Sequence, residues 1–371
     1  MKYYIIAGEA SGDMHAANLM RSIRKGDPGA QFRVWGGDRM EAQGGTIIKH
    51  YRDLAFMGFV EVLINLRTIL GNIKFCKQDI VDYQPDVVIL VDYPGFNLRI
   101  ARFAKNKGFK VIYYISPQVW AWKKSRVKTI RKYVDRMIVI LPFEKDFYAE
   151  YGMDVDFVGH PLLDALESEN IEGKAEFLRK NNLTNDPIVA LLPGSRKMEV
   201  EKMLKIMLQV VPHFPVYQFA IAGVSTVPVE LYERLVGSLP VKILIGQSHD
   251  LLYHADAALV TSGTATLETA LIGVPEVVCY KGNRISFEIA KRIVDVKYIS
   301  LVNLVMDRQV VTELIQQSLN EKNLKLELDR IINDENNRSR MLSDYGELRR
   351  KLGETGASKR AADIILSELS H

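Results

Sequence analysis

Residues 257–280, AALVTSGTATLETALIGVPEVVCY, constrain the fold most, because they read as strand, glycine loop, helix and next strand with no spare residues. Apolar residues recur at helical spacing from 267 to 271, and Gly273 and Pro275 provide the stop signals for that helix. A strand–loop–helix–strand sequence of this length is typical of a parallel α/β sheet.

The loop of this stretch is a candidate binding site for an anion. Ser262, Gly263 and Thr264 bring small side chains and backbone N–H groups to a helix N-terminus, where the peptide dipoles favour a group such as diphosphate. Glu268 lies four residues past Thr264, where its carboxylate can accept hydrogen bonds from ribose hydroxyls. The alternative is an ordinary strand-to-helix turn in which Ser262 or Thr264 caps the helix.

The same order of strand, glycine turn and helix occurs twice along the chain, before and after a polar segment at 165–187. Two such sets predict two facing doubly wound, Rossmann-like α/β domains with a ligand cleft between them. We expect a first domain at 1–165 and a second at 166–354. Residues 310–371 are highly charged and predict helices without a further strand, and a helix at about 355–371 is expected to return to the first domain.

Composition restricts the class of protein. A chain of 371 residues suits two domains, and 47% hydrophobic with 25% charged residues is ordinary for a soluble globular protein. The net charge of +4 is far from a nucleic-acid-binding signature. Cys76 and Cys279 lack metal or disulfide spacing, which favours a reducing cytoplasm. The sequence contains neither a signal-peptide pattern nor 18 uncharged apolar residues in a row.

Polar residues follow the predicted strands of the first domain at the edge where such sheets bind ligands. Glu9, Ser11 and Asp13 come directly after the first strand. Asp92 ends an apolar strand beside a Pro-Gly turn, which makes it the best candidate for a general base. The alternatives are that Ser11, Asp13 and Asp92 are only helix caps.

A similar turn opens the second domain, where Gly194, Ser195 and Arg196 follow an apolar strand. An arginine there is well placed to offset phosphate charge in a bidentate manner.

Two segments suggest a lipid surface. Residues 53–75 are more apolar than one core-facing helix stripe needs, and seven Lys or Arg residues lie in 123–136, directly after Trp120 and Trp122. Aromatic and basic residues side by side suit an anionic headgroup boundary. The alternatives are a helix buried within the domain for the first segment and a plain solvated helix face for the second.

The chain resembles the lipid-A-disaccharide synthase family over nearly its whole length and in the family's order. The motifs that carry the resemblance are GEASGD (8–13), MGFVEV (57–62), DYPGFN (92–97), SPQVWAW (116–122), LPFEKDFY (141–148), VGHPLLD (158–164), LLPGSRKMEV (191–200) and TSGTATLE (261–268).

The resemblance implies a two-domain glycosyltransferase B architecture, no metal or other cofactor, and a peripheral protein on the cytoplasmic face of the inner membrane. It implies transfer of 2,3-diacylglucosamine from UDP-2,3-diacylglucosamine to the 6-hydroxyl of 2,3-diacylglucosamine 1-phosphate, with inversion to a β(1→6) bond and release of UDP. The expected partners are these two substrates and an anionic lipid surface, not nucleic acid, and a homodimer stays open as the assembly.

By the same resemblance, Asp92 is the catalytic base, and an acceptor-binding first domain faces a second domain that binds the donor. The other residues that match the family's motifs would contact substrate: Glu9, Ser11, Asp13 and Asn97 in the first domain, and Gly194, Ser195, Arg196, Ser262, Gly263, Thr264, Glu268 and Asn303 in the second.

Two alternatives remain from the sequence. One is another enzyme with a UDP pocket on this fold, a UDP-N-acetylglucosamine epimerase or the peptidoglycan glycosyltransferase, which the apolar segment and the basic cluster disfavour. The other is a non-catalytic carrier of nucleotide sugar or lipid, which would need no base at position 92.

Overall fold

The computed structural model of the chain describes residues 1–53, 66–120, 125–282 and 297–370. It divides into two compact units. Unit 1 comprises Met1–Ala165 with Leu352–His371, and unit 2 comprises Leu166–Lys351. Each unit is built on a parallel sheet with helices between successive strands, which confirms the predicted α/β, doubly wound fold class.

The sheet of unit 1 has seven strands among the described residues, in the order β3-β2-β1-β4-β5-β6-β7. The strands are β1 Lys2–Ala7, β2 Gln31–Gly36, β3 Gly45–His50, β4 Val87–Val91, β5 Lys110–Tyr114, β6 Arg136–Val139 and β7 Asp156–Phe157. Every residue of β4 is buried, as the unbroken apolar run VVILV requires of a strand covered on both faces. The chain winds outward in both directions from β1 and β4, so the topological switch point lies between these two strands.

The helices of unit 1 cover both faces of this sheet. They are α1 Ala10–Gly26, α2 Asp38–Ala42, α3 Leu66–Tyr83, α4 Pro94–Asn106, α5 Arg126–Tyr133, α6 Pro142–Ala149 and α7 Pro161–Glu167, which ends in unit 2. A final helix, α16 Ala357–Leu369, belongs to unit 1 as well. Tyr4 and Ile6 of β1 pack in one core cluster with residues of α3, α4 and α5.

The helix α16 is attached to unit 1 at both ends. The carboxylate of Asp164 accepts hydrogen bonds from the backbone N–H groups of Gly356 (2.5 Å), Ala357 (3.3 Å) and Ser358 (3.0 Å), which caps the helix. At the other end, Gly26 of α1 approaches Leu366 so closely that a Cβ on this glycine would lie 2.4 Å from Leu366 Cδ1.

The sheet of unit 2 has six described strands in the order β10-β9-β8-β11-β12-β13, with its switch point between β8 and β11. The strands are β8 Ile188–Leu192, β9 Gln218–Gly223, β10 Val241–Ile245, β11 Ala257–Thr261, β12 Glu276–Tyr280 and β13 Thr312–Ile315. The prediction of no strand after residue 310 was wrong, because β13 pairs with β12 there. This edge strand has only four residues, two of them polar, and so lacks an apolar run.

The helices of unit 2 are α8 Lys174–Lys180, α9 Lys197–Met207, α10 Val229–Val236, α11 Ser248–His254, α12 Thr264–Ile272, α13 Leu301–Met306, α14 Glu321–Asn333 and α15 Glu335–Lys351. Helix α12 ends at Gly273, whose φ of +94° is left-handed and needs no Cβ, followed by Pro275 as predicted.

The lipid-surface segments fall partly outside the described residues. Of the apolar segment, 54–65 are not described, and 66–75 form the first part of α3. Of the aromatic and basic segment, 121–124 are not described, and α5 contains 126–133. Within the described part of the chain, no helix is both long and apolar enough to cross a membrane.

Candidate active site

Asp92 and Glu9 lie side by side at the switch point of unit 1. Ala7, the last residue of β1, is the register partner of Val91, the last residue of β4. The two strands are parallel, so the residues that follow them, up to Glu9 and Asp92, emerge at the same edge of the sheet. This crevice at the carboxyl ends of the strands is where doubly wound folds bind ligands.

The turn that presents Asp92 has an unusual backbone. Asp92 (φ +44°) and Tyr93 (φ +49°) are consecutive left-handed residues, although neither is glycine. Such a conformation persists only where surrounding contacts impose it, and it is found preferentially at functional sites. The ring of Tyr93 lies against Gly8, where a Cβ would come within 2.3 Å of Tyr93 Cγ. The glycine directly after β1 is therefore needed for this turn.

Hydrogen bonds hold both the backbone N–H and the backbone carbonyl of Asp92. Its N–H donates to the carbonyl oxygens of Tyr114 (3.4 Å) and Ile115 (3.3 Å). Its own carbonyl oxygen accepts from the Tyr113 hydroxyl (2.5 Å) and from Asn97 Nδ2 (2.8 Å). Tyr113 and Asn97 are fully buried. The backbone of Asp92 is thus fixed by two neighbouring elements while its side chain points elsewhere.

Asn97, predicted as a substrate contact, has this positioning role instead. Its Nδ2 also lies within hydrogen-bonding distance of the carbonyl oxygens of Val91 (3.2 Å) and Ile6 (3.5 Å). The side chain therefore ties together the ends of β1 and β4 from beneath. Tyr113 was not identified from the sequence, because nothing in the apolar strand KVIYY distinguishes a positioning tyrosine from a core one.

The carboxyl group of Asp92 has a raised pKa. The side chain is exposed at the surface of unit 1, yet surrounding protein atoms desolvate it enough to raise its pKa. This desolvation is the larger cause, the negative charge of Glu9 is the second, and together they raise the pKa of Asp92 to about 7. A carboxyl group with such a pKa is a far better proton acceptor at neutral pH than an ordinary aspartate.

Of the three residues predicted around the first turn, two are accessible to a ligand and one is buried. Glu9 is half-buried and Ser11 is exposed at the start of α1, so both can reach a ligand in the crevice. Asp13 is buried, and its carboxylate accepts hydrogen bonds from the N–H groups of Gly37 (2.7 Å), Arg39 (3.1 Å) and Met40 (3.2 Å). Asp13 therefore caps α2, not its own helix, and it holds the turn after β2.

The first loop of unit 2 is held by a carboxylate. Gly194 has a φ of +107°, and a Cβ there would lie 2.2 Å from the Glu199 carboxylate, which accepts a hydrogen bond from the Ser195 N–H (3.1 Å). Ser195 and Arg196 are exposed at the start of α9. The Arg196 side chain forms no ion pair with any residue in the described part of the chain, so its charge is available to an anion.

The second loop, between β11 and α12, presents a helix N-terminus. Gly263 and Thr264 are exposed, and no atom lies within 4 Å of where a Gly263 Cβ would be. Gly263, at the N-cap position of α12, has no side chain to cap the first turn. Ser262 is half-buried and donates its hydroxyl hydrogen to the carbonyl oxygen of Ile299 (3.0 Å). Because β8 and β11 are neighbours, this loop and the 194–196 loop follow adjacent strands at one edge of the sheet.

Glu268 lies one turn into α12 and has an unexpected partner. Its Oε2 is 3.5 Å from Nε2 of His249 in α11, and Nδ1 of the same imidazole is 2.5 Å from Glu169 Oε1. Burial acts to lower the pKa of His249, but hydrogen bonding and charge from Glu268 and Glu169 outweigh it and raise the pKa to about 9. His249 is therefore an imidazolium at neutral pH. Sequence reasoning missed it because its partners are 19 and 80 residues away.

Asn303 is not available to a ligand. It is fully buried, its Nδ2 donates to Val311 O and Glu313 Oε1 (2.9 Å each), and its Oδ1 accepts from the N–H groups of Val310 (2.7 Å) and Val311 (3.0 Å). All four hydrogen-bonding positions of the amide are used within unit 2. The role that remains is to hold α13 against β13.

No cluster of three or more His, Cys, Asp or Glu side chains suited to a metal ion occurs in residues 1–53, 66–120, 125–282 and 297–370. At the 194–196 and 262–264 loops, the exposed Arg196 side chain and the backbone N–H groups of helix N-termini are available to an anionic ligand.

The solved structures to which the chain is similar share its fold. The UDP-GlcNAc 2-epimerase from Neisseria meningitidis bound to UDP-GlcNAc is 13% identical with a TM-score of 0.63, covering 100% of this chain and 99% of that one. The S. aureus MnaA–UDP co-structure is 13% identical with a TM-score of 0.69 over 100% and 97%. The calicheamicin glycosyltransferase CalG4 is 17% identical with a TM-score of 0.61 over 99% and 98%.

Sequence relatives are much closer. A sequence model described as lipid-A-disaccharide synthetase matches residues 3–367. The lipid-A-disaccharide synthase of Syntrophus aciditrophicus is 42% identical over 371 residues, covering 98% of this chain and 96% of that protein. The enzyme of the same name from Geobacter sulfurreducens is 38% identical over 374 residues, covering 98% and 96%.

These matches confirm the resemblance seen in the motifs and decide against the epimerase and carrier alternatives. The chain belongs to the lipid-A-disaccharide synthase family, and is a glycosyltransferase of lipid A biosynthesis with the glycosyltransferase B fold.

Proposed function

We propose that this enzyme transfers 2,3-diacylglucosamine from UDP-2,3-diacylglucosamine to the 6-hydroxyl of 2,3-diacylglucosamine 1-phosphate. The products are a β(1→6)-linked disaccharide 1-phosphate and UDP. Family membership supports the substrate class. The observation that carries the mechanism is Asp92: a carboxyl group with a pKa of about 7 on a strained turn at the switch point of unit 1.

The reaction is a single displacement with inversion. The Asp92 carboxylate accepts the proton of the acceptor 6-hydroxyl while that oxygen attacks the anomeric carbon of the donor sugar. The bond from this carbon to the diphosphate oxygen breaks on the opposite face, and its electron pair leaves with UDP. Because the donor is α-linked, the new bond is β. Glu9 and Ser11 line the sugar pocket beside the base, and unit 1 is the acceptor-binding domain in this proposal.

Unit 2 binds the donor. The N-terminus of α12, with Gly263 and Thr264, and the 194–196 loop with Arg196 receive the diphosphate. Their positive charge and N–H groups stabilise the negative charge that develops on the leaving UDP. Ser262 sets the shape of the loop through its bond to Ile299, and Glu268 accepts hydrogen bonds from the ribose.

We also propose that unit 1 lies on the anionic inner face of the cytoplasmic membrane, where both acylated substrates partition. Helices α4 and α5 contain no acidic residue. The exposed cations of these two helices are Arg99, Arg102, Lys105, Lys128, Arg131 and Lys132. The preceding helix α3 exposes Leu70 (52%) and Phe75 (51%). Cations beside exposed apolar side chains favour a lipid headgroup boundary.

The test is Asp92→Asn assayed with the two acylated sugars, following disaccharide and UDP together. The amide keeps the shape but cannot accept the proton, so turnover is expected to fall by about 10²- to 10⁴-fold. UDP affinity and thermal midpoint should be unchanged. UDP release without disaccharide in the unaltered enzyme would contradict the proposed transfer.

The matched control is Asp86→Asn, at the opposite end of the same strand. Asp86 accepts a hydrogen bond from the Lys2 N–H (2.8 Å), so its replacement should cost stability without slowing the folded enzyme. If Asp92→Asn behaves in the same way, Asp92 is a structural residue and Glu9 becomes the next candidate for the base.

A further inference from the structure

His249 occupies an unusual position between two carboxylates. Its Nδ1 contacts Glu169 at 2.5 Å and its Nε2 lies 3.5 Å from Glu268. The three side chains are partly buried, with exposures of 24%, 32% and 21%. A partly desolvated ion pair is screened less by salt than a surface pair.

The need for this cation follows from where Glu268 lies. Its carboxylate is one helical turn from the N-terminus of α12, where the proposed function places the diphosphate. An unpaired carboxylate beside a bound diphosphate would oppose its binding, since like charges at such distances repel. An imidazolium on Glu268 offsets that repulsion.

We propose that His249 is a positioning residue for nucleotide recognition: it holds the Glu268 carboxylate in the orientation that accepts hydrogen bonds from the ribose hydroxyls. Glu169 fixes the other ring nitrogen and so sets the plane of the imidazole. The consequence is discrimination between ribonucleotide and 2′-deoxyribonucleotide that depends on a cation at position 249. This inference rests on the proposed assignment of unit 2 to the UDP moiety.

Other titratable groups lie near this triad. Tyr253 of α11 lies close to Glu169 and Arg349. The carboxylate of Asp250 accepts a hydrogen bond from the Glu172 N–H (3.2 Å), so it has a backbone partner outside the triad. Arg349 is a further cation in this region, and its charge acts to lower the pKa of Tyr253.

The experiment measures dissociation constants of UDP and 2′-deoxy-UDP by calorimetry and takes their ratio. The unaltered enzyme should prefer UDP by about 10- to 100-fold, as expected for hydrogen bonds to a charged group. His249→Gln should reduce the ratio by about tenfold, close to the value for Glu268→Gln, whereas His249→Arg should retain it because arginine stays protonated. The matched control is His213→Gln, which removes a comparable His–Glu contact (2.8 Å to Glu321) from the 3₁₀ helix Leu208–His213, before β9.

The pH dependence gives a second measurement. The ratio for the unaltered enzyme should fall as pH rises through about 9, where His249 loses its proton, and the His249→Arg ratio should stay constant. Ionisation of the uracil cancels because both ligands contain it.

A normal ratio in His249→Gln together with a lost ratio in Glu268→Gln would overturn the proposal while leaving the ribose assignment intact. A normal ratio in Glu268→Gln would overturn both the proposal and that assignment. Neither result would bear on the proposed role of Asp92 as the base, because that role is tested separately by disaccharide formation.

Discussion

Tyr113→Phe tests whether the strained turn at Asp92 matters for catalysis. The substitution removes one hydroxyl group from a fully buried ring and with it one of the two hydrogen bonds to the Asp92 carbonyl oxygen. Asn97 remains as the other donor at 2.8 Å. The change therefore loosens the backbone that presents the proposed base, and it leaves the carboxyl group itself unaltered.

The magnitude follows from the contacts. One neutral hydrogen bond contributes about 1 kcal/mol net, and a left-handed non-glycine residue costs about 1 to 2 kcal/mol. The free energy of the one hydrogen bond from Tyr113 is thus comparable to the conformational strain of either Asp92 or Tyr93, the two residues with left-handed backbones. Losing about 1 kcal/mol shifts the turn away from its productive geometry by roughly fivefold, since RT is about 0.6 kcal/mol. We expect kcat to fall by about that factor with KM for both sugars unchanged.

The assay is steady-state disaccharide formation on the same preparation used for chemical unfolding. Tyr114→Phe is the matched control, because Tyr114 is the next residue on β5, is equally buried, and has its hydroxyl near Ser358 and Asp164, away from the base. Because the Tyr114 hydroxyl has no hydrogen-bond partner among the described residues, Tyr114→Phe should lose less stability than Tyr113→Phe, and only Tyr113→Phe should lose turnover. Equal turnover in the two variants would refute the idea that this hydroxyl positions the base.

Three further outcomes are expected. With Asp92 as the base, kcat should fall as pH drops below about 7, and Glu9→Gln should move this limb to lower pH because the charge of Glu9 raises the pKa of Asp92; an unmoved limb would contradict their coupling. Glu276 is fully buried with no partner for its carboxyl oxygens among the described residues, and burial raises its pKa well above the ordinary value of 4.5. In the unfolded chain the Glu276 carboxyl loses its proton at a lower pH than in the folded protein, so the free energy of unfolding decreases as pH rises above about 4.5. Glu276→Met should stabilise unit 2 by about 1 to 3 kcal/mol and should make the free energy of unfolding depend less on pH, which chemical unfolding at several pH values would measure. Replacing the exposed Lys128 and Arg131 of α5 with glutamine should weaken co-sedimentation with anionic but not neutral vesicles, and unchanged binding to anionic vesicles would assign this helix to solvent.

The sequence predicted the architecture well because the signals are local. An apolar run followed by glycine and a helical pattern, as in residues 257–280, determines a strand and its turn without reference to the rest of the chain. The same logic places Asp92 at the end of β4, since a carboxylate after a buried strand is at the ligand-binding edge. The fourth-residue spacing of Glu268 from Thr264 likewise follows from helix geometry.

Roles that depend on distant partners could not be predicted in this way. Asp13, Asn97 and Asn303 stand in motifs of the family, but their polar atoms hold backbone groups of neighbouring elements. A motif contains both the residues that meet a ligand and those that keep the loop in shape, and spacing alone does not separate them. His249 has no local signal at all, because its function depends on two carboxylates brought to it by tertiary folding.

The return of α16 to unit 1 reverses the order in which the two halves are completed during synthesis. Every residue of unit 2 leaves the ribosome before α16 does, whereas unit 1 lacks the helix that packs on α1 until residues 357–369 have been made. Domains generally fold as units as the chain emerges. The N-terminal half is therefore synthesised first but finished last, and a nascent chain stopped short of residue 357 has a complete unit 2 beside a unit 1 whose α1 is still uncovered.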